Sequence, residues 1–311
     1  MRPIRYHEGQ RAVQREANSI PCADKLATWV GPVVQFATVA DLIVLANLDA
    51  GGFRVAALSG PAPLVEAREE GDEIVLGLPA VVATKLPVGG LAGGIAMKPI
   101  EARRARLGGR LARAGDRCEL RCSVAFSNCR KYIAPTITTG TAALLGPATE
   151  TPIELGDPWV ASTIAGAELA FLVTATPDGA ADVSHRGGQP GFLRFDAGAK
   201  SIGWTEYLGD GMFVSTGNLR ANGRFALLVV DLATGDALRL DGEAQYANLR
   251  ADRKTRVDAL IQAGEPFPVQ GQLTARITAA SRLGKLCHPR ERRADRGKIN
   301  STDSTQVQHP Q

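Results

Sequence analysis

A chain of 311 residues, 44% of them apolar, can bury one or two ordinary cores, and at about 100–200 residues per domain two are expected. A net charge of +4 with 5% aromatic residues leaves the arginine runs without interleaved stacking platforms, which argues against nucleic-acid binding. Five cysteines are too few and too odd for a disulfide framework, and no run of about 18 uncharged apolar residues or apolar leader occurs, so a cytoplasmic chain with reduced thiols and no membrane contact is expected.

Residues Tyr6 to Asn18 predict a short amphipathic helix, with Val13 and Ala17 four apart, followed by an irregular approach. Strands then alternate with hairpin signals: LIVLANL, the turn Asp49–Gly52, FRVAAL, LVEARE, the turn at Glu70 to Asp72, and EIVLGL. Pro87 and the glycines between Gly89 and Gly94 read as a loop. ARRARLGGRLARAG follows and turns into RCELRCSVAF, where Cys118 and Cys122 read as buried structural thiols rather than zinc ligands; Cys129 lies just beyond. The arginines of EARRARLGGRLARAGDR, and those of PRERRADRGK near the C-terminus, read as a solvated strand face and a basic tail.

TETPIELGDP is the expected linker, and Asp157 ahead of Pro158 predicts a capped helix through Trp159, Ile164 and Ala167. Beyond it come FLVTAT, the turn Pro177 to Gly179, ADVSH, GFLRF and SIGW. A helix-like stretch MFVSTGNLRAN ends at Gly223; FALLVVDL reads as a central, fully apolar strand and ALRLDGEAQY as a half-exposed one. The pattern fades from Ala279. The expected organisation is an N-terminal helix and approach over 1–30, a first barrel over 31–150, a second over 151–285 and a disordered tail over 286–311.

Two copies of one pattern lie about 130 residues apart: Gly51 falls on Gly179, the run from Ser59 on that from Gly187, and Gly109 on Gly242. ELAFLVTATPDGAADVSHRGGQPGFLRF and GDGMFVSTGNLRANGRFALLVVDLATGDALRLDG resemble the pyridoxamine 5'-phosphate oxidase-like, FMN-binding split-barrel family, and YHEGQRAVQ and SNCRKYI resemble its tandem-barrel branch, with Arg130 where proline is usual. The resemblance implies a mainly β fold with a few helices, built as two tandem antiparallel split β-barrels. It also implies non-covalent flavin mononucleotide (FMN) and an oxidoreductase acting on a small-molecule substrate, with the barrels paired within the chain or in a homodimer.

Such a site needs donors for a phosphate, a flat slot and donors near the ring. The second copy offers Ser184, His185 and Arg186 ahead of Gly187 for anchoring or for tuning the ring, and Gly211 with Ser215 and Asn218 at a helix start for the phosphate. Trp204 and Tyr207 offer an aromatic wall, with Lys131 and Tyr132 as secondary pocket residues. Plain readings stay open: the glycines as turns, His185 as a satisfied histidine, Arg186 as the partner of a nearby acid, Trp204 as core. MFVST lacks the serine-arginine-lysine run of the vitamin B6 oxidases, so pyridoxamine phosphate oxidation is not expected. At the position of Ser184 to Arg186 the first copy has Ala56, Ala57 and Leu58, which predicts one site per chain. The alternative is a non-catalytic tandem barrel, or one holding haem or another planar ligand through His7, His185 or His288.

Overall fold

Strand β1 (Leu42–Asp49) buries both of its faces, and the reason is visible in the alternation of its side chains. Ile43 and Leu45 point into a core inside the first half of the chain, while Leu42, Val44 and Ala46 point into a second core shared with the other half. A strand buried on both faces needs an unbroken apolar run, which LIVLA supplies.

The computed structural model describes residues 4–27, 31–71, 73–115, 117–133, 143–249, 265 and 267–290. Within the first half, β2 (Gly52–Ser59), β3 (Glu66–Glu70), β4 (Glu73–Leu78), β5 (Leu91–Lys98), β6 (Arg103–Ala114) and β7 (Arg117–Ser127) join β1 in the order β2-β1-β5-β6-β7-β4-β3. The second half contains β8 (Thr149–Pro152), β9 (Leu169–Ala175), β10 (Ala181–Gly187), β11 (Leu193–Asp196), β12 (Ser201–Tyr207), β13 (Arg224–Val230), β14 (Ala237–Asn248) and β15 (Val269–Gly284). Its order is β10-β9-β13-β14-β15-β12-β11, with β8 added beside β15. The two orders are the same topology written twice. All pairings are antiparallel, and the fold is mainly β, two tandem split barrels.

The expected alignment of Gly109 with Gly242 has a structural cause. Each glycine sits where the register shifts, in β6 and in β14, and a Cβ there would collide with the carbonyl of Arg121 or of Arg276. Gly93 and Gly94, read as loop from sequence, lie inside β5 instead. A Cβ on Gly93 would strike the Ala181 backbone of the opposite barrel, so glycine is required for β5 to cross β10.

Three cores result. One fills each barrel, and the third lies along the seam, where Phe171, Val173, Leu228 and Val230 meet Val44, Ile95 and Met97. β13 contributes Leu227 and Val229 to its own barrel and Leu228 and Val230 to the seam, in keeping with its expected central place.

The described residues include six α-helices. The predicted N-terminal helix is α1 (Glu8–Glu16), the approach expected to be irregular contains α2 (Ile20–Leu26), and α3 (Gly31–Gln35) opens the stretch that follows it. Pro21 is a helix-start proline in α2, compatible with a helix because the first turn needs no donor there. The remaining helices are α4 (Ala80–Ala83), α5 (Pro158–Ala165), capped by Asp157 as expected, and α6 (Val214–Asn222). Helices α4 and α6 occupy the same place in the two barrels, but α4 is four residues long and α6 nine. The expected linker carries β8, and Leu286, Cys287 and His288, expected to open the tail, are buried; residues 291–311 lie outside the described residues. No described helix is long and apolar enough to cross a membrane.

Candidate functional site

A cleft opens along the seam, walled on one side by β10, β12 and the start of α6 and on the other by β6 and residues 128–132 of the first barrel. Strand β10 sends successive side chains to opposite faces, so His185 leaves toward the first barrel and Arg186 toward α6.

Arg186 is held on all three nitrogens. Nε donates to Glu206 Oε1 at 2.6 Å, Nη1 to the His185 carbonyl at 3.0 Å and Nη2 to Ser215 Oγ at 2.9 Å. Glu206 also accepts from Trp204 Nε1 at 2.8 Å, so the indole is both core and part of this network. Ser215 lies in the first turn of α6, which begins from Phe213 in the left-handed region, at φ 51°. The first intrahelical bond runs from Gly217 N to the Phe213 carbonyl, and among the described residues no acceptor faces the amides of Val214, Ser215 or Thr216. Bare amides beside a guanidinium suit an anion.

The opposite wall corrects the reading of the arginine run as solvated. Arg104 and Arg106, two apart on β6, are 9% and 6% exposed and reach into the cleft. Arg104 Nη1 lies 2.5 Å from His185 Nδ1, and its Nη2 donates to the Lys131 carbonyl at 3.2 Å. Arg106 pairs with Asp182. Among the described residues Arg104 has no carboxylate partner. Burial lowers both arginines, Arg106 to about 9; since a guanidinium keeps its proton in proteins, that cost remains as an electrostatic demand for negative charge.

His185 is buried, and desolvation, then Arg104 and Arg186, hold its pKa well below the usual histidine value. Because Arg104 can only donate, Nδ1 accepts and the proton of the neutral ring sits on Nε2. That Nε2 is shut from solvent without a partner, as is Asn128 Oδ1, whose Nδ2 donates to Asp210 Oδ2 at 2.9 Å. A depressed histidine binds its proton in the unfolded chain first, so stability should fall as pH drops below about 6.5. Urea midpoints between pH 7 and 5 should show that fall, and the slope should shrink in His185→Gln; an equal slope in both would assign the pH dependence elsewhere.

The other expected site residues divide. Gly211, at φ 79°, and Gly187 line the cleft. A side chain on Gly187 would strike the Tyr132 carbonyl. Ser184 lines it too but turns its hydroxyl to the Leu172 carbonyl at 3.3 Å. Tyr207 packs against Tyr132 and Phe267, with ring centroids 5.4 Å from each. Tyr132 donates to the Leu208 carbonyl at 2.6 Å, and burial pushes its phenol up to about 12. Asn218 is not at the cleft. It is fully buried under α1, accepting from Gln10 at 3.0 Å and His7 at 2.8 Å and donating to Thr174 at 3.0 Å. Lys131 contributes its carbonyl rather than its ammonium. His7 caps α1, and His288 reaches the Ala143 carbonyl at 2.9 Å, so the three histidines weighed for haem serve separate places.

The equivalent cleft of the first barrel is lined by Ala56, Ala57 and Lys85 and faced by Leu283 and Leu286. Arg104 and Arg106 were missed because charge in a strand reads as exposure; the signal was in the repeat, where Gly109 on Gly242 places Arg106 on Arg239 of the second copy.

No family model and no curated protein matches the chain. Among solved structures it is similar to HupZ of Group A Streptococcus, at 18% identity over 38% of this chain and 86% of that one, with a TM-score of 0.29. A protein related to general stress protein 26, of the pyridoxinephosphate oxidase family, from Clostridium acetobutylicum matches at 15% identity over 40% and 86%, TM-score 0.28. A pyridoxamine 5'-phosphate oxidase-related, FMN binding protein from Nostoc punctiforme matches at 12% identity over 41% and 84%, TM-score 0.30.

Proposed function

We propose that the cleft along the seam binds FMN and that the chain is a flavin-dependent oxidoreductase acting on a small molecule, with the first barrel serving as the intramolecular partner of the second. The observation that carries this reading is the junction of Arg186, Ser215 and the bare amides of α6. The basic residue absent from MFVST arrives there from β10 instead, and it faces a helix start able to receive a phosphate.

The unpartnered atoms fit the rest of the group. A flavin ring edge alternates acceptors with a donor, and the cleft side chains hold an orphan donor at His185 Nε2 and an orphan acceptor at Asn128 Oδ1. Tyr207 and Tyr132 would wall the ring, and the fixed charge of Arg104, with no carboxylate opposite it, would favour negative charge beside His185. Bound flavin supplies hydride chemistry. The chain's own residues hold its phosphate, orient the ring and shelter one face from water.

Adding FMN to the purified protein should shift and structure the flavin absorption, saturate at one equivalent per chain and bleach with dithionite. A protein that leaves the FMN spectrum unchanged would sink the reading.

A further inference from the structure

The two barrels carry the same bulge with different side chains around it. The register shifts between Gly108 and Gly109 in β6 and between Asp241 and Gly242 in β14, and an arginine stands two residues before each first position. Arg239 is fully engaged. Its Nε donates to Asp241 Oδ2 at 2.7 Å, its Nη2 to Asp241 Oδ1 and the Phe53 carbonyl, both at 2.8 Å, and its Nη1 to Glu150 Oε1 at 3.2 Å. Glu150 is held in turn by Ser281, at 2.7 Å, the residue opposite Arg239 in the sheet.

Arg106 has Gly108 where Arg239 has Asp241, and Phe126 opposite it where Arg239 has Ser281. One nitrogen meets Asp182, the guanidinium carbon lies 5.2 Å from the Phe126 ring centroid, and Nε is buried without a partner. The acceptor that completes its twin is missing, and Arg106 lines the cleft.

We infer that Arg106 receives an anionic oxygen of the cleft's ligand, in the place taken beside Arg239 by the Asp241 carboxylate. The inference rests on the flavin reading of the cleft. Two oxygens have this chemistry, the terminal phosphate and the ring oxygen that carries charge in the reduced flavin.

Gly108→Asp tests it by giving Arg106 the carboxylate of its twin. Gly108 does not take a left-handed backbone, and a Cβ there meets Val124 Cβ at 3.5 Å and the Ala92 carbonyl at 3.6 Å, ordinary van der Waals contacts. The variant should melt about 2–4 °C higher, since a buried donor gains its partner. It should bind FMN about tenfold to a hundredfold more weakly, the scale of one charge-assisted hydrogen bond. Calorimetric titration with riboflavin and with orthophosphate assigns the oxygen: weakened orthophosphate with unchanged riboflavin identifies the phosphate, and the reverse identifies the ring. Asp241→Gly should lower the melting temperature and leave FMN affinity unchanged. FMN affinity unchanged in Gly108→Asp overturns the inference while leaving the flavin reading standing, and so does weaker binding accompanied by a lower melting temperature. Wild-type protein that binds neither FMN, riboflavin nor orthophosphate overturns both.

Discussion

Arg186→Ala should reduce FMN affinity about a hundredfold and destabilise the fold by about 3 kcal/mol, because one side chain serves both the cleft and the buried network behind it. The Arg186 and Glu206 side chains are 14% and 15% exposed, so removing the cation leaves a carboxylate with only the Trp204 indole for company. It also strips the guanidinium from the start of α6. The two effects separate in Arg186→Lys, which retains charge but loses the fork that holds Glu206, the His185 carbonyl and Ser215 together; affinity should fall by about tenfold there. Urea unfolding and flavin fluorescence titration measure the two. An Arg186→Ala protein with wild-type FMN affinity would mean that no phosphate is held at this helix.

Phe171→Ala should cost about 3–5 kcal/mol, the upper range for a buried aromatic truncated in a rigid core. Phe171 is fully buried and faces the seam, flanked on its own sheet by His185 of β10 and by Leu228 of β13. The cavity would open beneath the strand that carries Arg186, so FMN affinity should fall together with the unfolding midpoint. A cost under about 1 kcal/mol would show that the seam is loosely packed and that the halves associate by other means.

Much of this architecture was legible in the chain because periodicity records how many faces of a strand are buried. FALLVV, with every side chain apolar, reads as a strand covered on both sides, and β13 is one. The repeat was legible because the bulge glycines cannot be replaced without a backbone collision. What escaped depended on contacts between distant segments. Asn218 shares α6 with Ser215, and only the docking of α1 decides that it meets His7 and Gln10 instead of the cleft. Gly93 looked like part of a loop because the backbone it must pass is Ala181, almost ninety positions away. Arg104 and Arg106 looked solvated because their partners, His185 and Asp182, are supplied by the other barrel.

The cleft takes one wall from β6 and the other from β10, and both strands belong to one polypeptide. Where such walls come from separate subunits, dilution pulls them apart and occupancy follows the association constant. Here the second wall is delivered at an effective concentration set by the tether, which no dilution changes. The ligand's dissociation constant should therefore be the same in nanomolar and in micromolar protein.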